Sequence, residues 1–481
     1  MTQLDFMVLV PAAFAVVSLL VGRRLPLAPR WIALAAAVVQ CVLLGSMSSA
    51  GVFAGTRILG WDGSATRGVW QVVIDGLSLP LVLLTLFIGI AAVVSSWKIS
   101  ERPGSYFALI LALQAAVTGV FLAESLLLFY VAWECVLIPM YFLIGGWGSS
   151  NRKHAATKYL IYTFAAGGVM LLGVILTLIM SGGSTSITEI VANRTLITAP
   201  VLVFWLFMAG FLVKIPAVPF HTWLPDAHTE APTAGSIILA GVMLKMGGYG
   251  VMRIAMPFAP SAFDSARGLL AVLGVVGIVY GAAMALVQTD LKRLVAYSSV
   301  AHMGFVILAI AAATTESLGA AMLAMVSHGF VAGLLFLLVG SLYERTHTRE
   351  MGRLGGLGRV MPVWSVVFVF AALASAGLPG LSGFPGEFVT ILAGFSAFGW
   401  WTSIAAVGLV LGAAYNLRAV RGTVQGPVGE FTSLPDLSGR EISLTAVFSL
   451  AILVLGVQPV LVLRASEAAM SALAAIVKGG V

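Results

Sequence analysis

Four charged side chains sit inside runs that otherwise hold almost only apolar residues. Glu134 falls in LLLFYVAWECVLIPMYFLIGG and Lys214 in VLVFWLFMAGFLVKIPAVPF. Lys245 falls in SIILAGVMLKMGGYGVM, and Glu387 directly follows GLPGLSGFPG. His302 and His328 lie in two further apolar runs. A single charge at the centre of a membrane helix costs roughly 2.5–3.5 kcal/mol on insertion scales. Each of these groups therefore needs a partner or a wet path. The chemistry open to such a set is proton transfer. Burial lowers the proton affinity of a lysine, and a nearby carboxylate raises it again. Histidine titrates close to neutral pH and suits relay steps. A second reading stands beside this one: Glu134 and Lys214 as a structural ion pair holding two helices, and the histidines as polar packing residues between helices.

The rest of the chain must supply the elements that hold these groups. Of 481 residues, 60% are hydrophobic and 9% charged, and the mean hydropathy is +1.05. A soluble domain has about a quarter of its residues charged, so lipid must be the solvent here. Cys41 and Cys135 sit in apolar runs and give neither a disulfide framework nor metal-ligand spacing. At the N-terminus Asp5 precedes the apolar run and Arg23 and Arg24 follow it. That order is the reverse of a signal peptide and predicts a retained first span.

The pattern predicts an all-α, polytopic membrane protein with about fourteen transmembrane helices, since a span needs roughly 20 apolar residues. Loops after odd-numbered spans carry seventeen Lys and Arg, among them Arg23, Arg24, Arg152 and Lys292. Loops after even-numbered spans carry seven: Arg57, Arg67, Arg194, Arg253, Arg267, Arg464 and Lys478. The positive-inside rule then puts the odd loops in the cytoplasm and both termini outside. The same asymmetry accounts for the net charge of +7, so nucleic acid is not needed as a partner.

Two spans should be broken. Pro216 and Pro219 follow Lys214 in span 7, and Pro379 and Pro385 precede Glu387 in span 12. Broken helices at membrane depth face protein or water and mark ion sites in transporters built from inverted repeats. The breaks are five spans apart, an odd number, so the second copy must be inverted. The organisation read from this is residues 1–103 for spans 1–3, 104–256 for a first repeat (spans 4–8), 257–422 for a second (spans 9–13), and 423–481 for span 14. Each repeat brings one broken helix and one ionisable site to the midplane, with Lys245 joining the halves.

The stretches VKIPAVPFHTWLPDAHTEAPTAGSIILAGVMLKMGGYG and QTDLKRLVAYSSVAHMG resemble the antiporter-like subunits of respiratory complex I and their Mrp antiporter relatives. The likeness runs over essentially the whole chain, with no long lateral helix at its end. Glu387, where other branches generally carry lysine, makes it similar to the M-type (chain 4) subunits of bacterial proton-translocating NADH:quinone oxidoreductase. Pro385 departs from the apolar residue usual in that family, and Glu124 stands where relatives often have Asp.

The resemblance implies that Glu134 pairs with and tunes Lys214, the proton acceptor of a first half-channel. It implies that Lys245, His302 and His328 pass the proton along a central axis, and that Glu387 ends the second half-channel. It further implies a non-redox translocase subunit in the bacterial plasma membrane, driven by quinone reduction elsewhere and partnered by neighbouring antiporter-like subunits. The alternative is a Na⁺/H⁺ antiporter of Mrp type or a membrane-bound hydrogenase subunit. No CxxC, flavin or haem signature is present, so no cofactor is expected in this chain. GRLGGLG at 352–358 lacks the preceding strand that nucleotide binding needs. His221, Asp226 and His228 form no closed metal-ligand set, and the resemblance assigns them to packing beside the first break.

Overall fold

Where the solvent offers no hydrogen bonds, a backbone satisfies itself inside helices. The computed structural model describes residues 2–48 and 68–479. Arg57 and Arg67, which enter the orientation argument, lie outside the described residues. Among the described residues there is no strand, and extended backbone pairs only at three isolated bridges.

The chain opens with α1 (Gln3–Val21), α2 (Ala28–Ser48), α3 (Leu79–Ser95) and α4 (Pro103–Leu122). Then come α5 (Leu126–Cys135) and α6 (Leu137–Trp147), which follow one another within a single apolar run, α7 (Arg152–Met180) and the short α8 (Ile187–Ala192). α9 (Pro200–Lys214) and α10 (Trp223–Glu230) are the two parts of a broken helix. The next span, 233–258, contains α11 (Thr233–Ile238), α12 (Leu244–Gly250) and α13 (Met256–Phe258), joined by two π-helical segments. α14 (Pro260–Val287), α15 (Leu291–Ala312) and α16 (Thr315–Thr346) follow, then the short α17 (Leu357–Val360). α18 (Pro362–Ser375) and α19 (Gly383–Phe398) are the second broken helix, followed by α20 (Ala405–Thr423), α21 (Gly439–Val457) and α22 (Val460–Gly479).

Proline is the first residue of α4, α9, α14 and α18, where its missing N–H would have no helical partner anyway. Ser125 and Asp290 cap α5 and α15 by accepting the N–H of Leu128 and Arg293.

Twelve helices among the described residues are long and apolar enough to cross a membrane. Eleven fall on expected spans; the expected spans 3, 7 and 12 appear as the shorter α3, α9 and the pair α18 and α19. The twelfth, α22, is a departure. The sequence pattern ends its last element near residue 463, but the chain turns at Pro459 and continues as a helix. One stripe of α22 is buried (Val462, Ser466, Met470, Leu473, Ala474, Val477) and packs on α16 and against α3, α13 and α14. The 3.6-residue period of that stripe is the signal for an amphipathic helix.

Two faces of the bundle can be named by the chain. The first is where α1 begins and α2 ends; the second is where α1 ends and α2 begins.

Candidate functional site

The second broken helix is built by its glycines. α18 stops in a Schellman motif: Leu378 N–H bonds Leu373 O at 3.1 Å and Gly377 N–H bonds Ala374 O at 3.3 Å. Gly377 occupies the left-handed position at φ +72, as this motif demands. α19 then starts at Gly383, and Ser382 before it accepts a hydrogen bond from Ser327 of α16 at 2.8 Å. Pro385 is the third residue of α19, where no N–H is required. Glu387 follows as the fifth residue of α19. It is 6% exposed.

Four expected residues come together here. Glu387 Oε1 lies 2.8 Å from His302 Nδ1. When the carboxylate is ionised it only accepts and Nδ1 carries the proton; Nε2 faces the hydroxyls of Ser375 (3.3 Å) and Tyr415 (3.5 Å). The His302 and His328 rings are 5.5 Å apart between centroids. Between α15, α16, α18 and α19 lies a cavity of ≈ 20 Å³ lined by both histidines, Glu387, Ser298, Ser327 and Ser375. About 10–15 Å³ is enough to hold a water. His328 Nδ1 is 2.7 Å from Lys245 Nζ. When Lys245 is an ammonium, Nδ1 accepts. The neutral ring then carries its proton at Nε2, which is buried without a hydrogen-bond partner among the described residues. Lys245 itself is fully buried and also donates to Ala240 O. Ala240 lies in the π-helical segment Leu239–Met243; a second, Val251–Ala255, follows α12. Such widened turns recur at functional sites. Lys245, His328, His302 and Glu387 thus form one polar series across an apolar interior.

The first broken helix places Lys214 as the last residue of α9, 2% exposed. Trp223, opening α10, donates its indole N–H to Val213 O at 3.0 Å, supplying a donor to a carbonyl the break leaves unpaired. Lys214 Nζ lies 5.2 Å from the centre of the Trp133 ring, a cation–π arrangement. The implied ion pair with Glu134 is open: neither side chain has a hydrogen bond or ion pair among the described residues, and Glu134 Oε1 is buried without a partner. Glu134 lies against α7, where Gly167 leaves it room. A Cβ on Gly167 would overlap Glu134 Oε1. Among the described residues no hydrogen bond joins Lys214 to Lys245.

Two groups in the interior, Arg253 and Lys292, escape a reading of the sequence. Both read there as loop cations. Arg253 lies instead in the second π-helical segment, bonded to Asp75 and to Glu124 (3.1 Å). Lys292 is 5% exposed and donates to Ala231 O. Arg253 stands eight residues after Lys245, on the same helical face, and that spacing is the available signal. His228 is fully buried, stacked on Phe336 at 4.5 Å, with no partner for either ring nitrogen among the described residues. Asp226 is held by Lys158 (2.7 Å) and Arg293 (3.5 Å). No three metal-ligating side chains gather among the described residues.

Comparison with known proteins places this geometry. Residues 123–412 match the family described as NADH:quinone oxidoreductase/Mrp antiporter, TM. The chain is 42% identical over 415 residues to an NAD(P)H-quinone oxidoreductase chain 4 of a Nostoc species, covering 83% of this chain and 76% of that one. It is 39% identical over 466 residues to NADH-quinone oxidoreductase subunit M of Pseudomonas aeruginosa, covering 92% and 91%. Its fold superposes on a chain of respiratory complex I from Thermus thermophilus with bound NADH. The TM-score is 0.89 at 30% identity, covering 99% of this chain and all of that one. The chain belongs to the transmembrane family of NADH:quinone oxidoreductase and Mrp antiporter subunits, among relatives named subunit M and chain 4.

Proposed function

We infer that the chain is a proton-translocating, antiporter-like membrane subunit of an NADH:quinone oxidoreductase. The observation that carries this reading is the series Lys245, His328, His302 and Glu387, contributed by four helices and closed by contacts of 2.7 and 2.8 Å. A proton accepted at Lys214 passes to Lys245, leaves it for His328 Nδ1, crosses the cavity to His302, and reaches Glu387. The open Glu134–Lys214 pair is the adjustable element of the first half. With Glu134 close, the ammonium is stabilised; with Glu134 apart, desolvation favours release of the proton toward Lys245.

The matching breaks after Lys214 and before Glu387 support the two inverted repeats at 104–256 and 257–422, flanked by spans 1–3 and span 14. The Lys and Arg asymmetry supports a bacterial plasma-membrane protein whose first face is the outer one, with both termini there. The chain performs no electron transfer and holds no redox cofactor. Its partners are the other membrane subunits, including neighbouring antiporter-like chains, and the redox step that drives it lies outside it.

The test is NADH-driven proton pumping in vesicles carrying Lys214→Ala, with quinone reduction followed in parallel and sodium present or absent. Loss of pumping and of coupled electron flow in an assembled complex, independent of sodium, supports the reading. Intact pumping overturns it, and a sodium requirement points to exchange of the Mrp antiporter kind.

A further inference from the structure

The helix that carries Lys245 continues toward the first face through Tyr249 and Arg253. These stand at i, i+4 and i+8 and so share one face of the helix. Resting on the proton reading above, we propose that Arg253, fixed by Asp75 and Glu124, is a seal that closes the route from Lys245 to the first face. The proton on Lys245 is thereby left one exit, sideways to His328.

Each group along that face is occupied in a way that stops a proton. Tyr249 is fully buried and donates its hydroxyl to Phe121 O at 2.9 Å, with the two rings packed edge to face at 5.2 Å. A backbone carbonyl accepts that hydrogen bond but does not carry a proton onward. Next comes a guanidinium, which stays protonated in proteins and so neither accepts a proton nor passes one on.

Arg253 is held from two sides. One terminal nitrogen bonds Asp75, and the other bonds Glu124 at 3.1 Å. Both carboxylates are themselves anchored. Asp75 Oδ1 accepts the N–H of Leu77 (3.0 Å) and Ser78 (2.9 Å). Glu124 Oε1 accepts the N–H of Thr188 (2.9 Å) and the hydroxyl of Ser186 (3.2 Å). The guanidinium therefore ties the end of the Lys245 span to three other segments. These are the turn before α3, the α4–α5 junction and the start of α8. By contrast, His328 lies 2.7 Å from Lys245 Nζ with a free ring nitrogen beyond it. Asp75 and Glu124 are charge partners for Arg253 that also keep the cluster from facing lipid unpaired.

The experiment uses the assembled complex in non-respiring vesicles, with a potassium diffusion potential set by valinomycin and internal pH read by a dye. A fixed unit charge about 12 Å away along the helix, at an effective dielectric constant of about 20, alters proton occupancy about tenfold. Arg253→Gln is therefore expected to raise proton permeability about tenfold, Arg253→Lys to leave it near the wild-type value, and Lys245→Ala combined with Arg253→Gln to abolish the rise. That last result separates a seal on the Lys245 route from general loosening of the bundle. Wild-type permeability in Arg253→Gln, or a leak that survives Lys245→Ala, overturns the proposal. Should Arg253→Gln fail to assemble, Arg253→Met removes the same charge and gives the same leak with the same dependence on Lys245, and absence of that leak counts against the seal. Normal NADH-driven pumping in Lys245→Ala alone overturns the proton reading itself, whatever the leak.

Discussion

Gly377→Ala should uncouple the second half of the chain. Two effects can be worked from the structure. Gly377 has φ +72, and an L-residue in that region costs roughly 1–2 kcal/mol. The added Cβ would also stand 2.9 Å from Glu387 Oε2, so the carboxylate must move. Its bond to His302 Nδ1 is 2.8 Å long, and a hydrogen bond to a charged group is worth roughly 1.5–3 kcal/mol. If that contact lies on the transfer path, losing it slows transfer roughly 10- to 150-fold.

Gly380 provides the control. It sits at φ +91, and a Cβ there would meet nothing within 4 Å. Gly380→Ala therefore carries comparable backbone strain without touching Glu387. The assay is NADH-driven acidification of inverted membrane vesicles, normalised to assembled complex. Gly377→Ala should lose pumping while Gly380→Ala keeps it. Equal pumping in the two variants refutes the claim that the Glu387–His302 contact lies on the path.

Gly167→Val puts a side chain onto the present position of Glu134 Oε1; a carboxylate displaced by about 1 Å should cost roughly 10²-fold in pumping rate, read in the same vesicles. Trp223→Phe leaves the buried Val213 carbonyl without its indole donor, and should cost about 1–3 kcal/mol, seen as earlier thermal inactivation of the solubilised complex. On the second face, the Arg353 hydrogen bond holds the Glu430 carboxyl below its ordinary value. A lowered carboxyl pKa stabilises the folded loop above the ordinary value of about 4.3 and loses that contribution as pH falls through the lowered one. Amide protection around residues 424–431, taken relative to the intrinsic exchange rate at each pH, should therefore hold steady from neutral pH and fall only under strong acid; a fall already near pH 6 contradicts the pairing.

The charged groups are legible in the sequence because a charge in an apolar run is conspicuous, and the breaks because proline and glycine leave few alternatives. Lys214, Lys245, His302, His328 and Glu387 are all buried or nearly so; α9 stops just before Pro216, whereas α18 stops at its glycine turn ahead of Pro379 and Pro385 lies inside α19. The contacts between them are not legible. Whether Glu134 closes on Lys214 depends on how α5 and α7 meet at Gly167, a matter of packing rather than spacing. The π-helical turns around Lys245 leave no compositional trace, because they depend on what the helix packs against. Arg253 reads as a loop cation because it stands near the end of its expected span, and its pairing with two carboxylates holds it inside the helix. α22 is hidden for another reason: the last expected span runs through Pro459 into its first turn, although residues 460–479 are as apolar as α21 and the buried stripe from Val462 to Val477 keeps its helical period.

The most direct test of the proton path is the number of protons moved per NADH oxidised in sealed vesicles bearing Lys245→Ala, with assembly verified on native gels. The account predicts that this chain's share of the pumped protons vanishes, and that Lys245→Arg, which holds its proton too tightly to pass it on, does not restore it. An unchanged proton-to-electron ratio in assembled Lys245→Ala complex would contradict it.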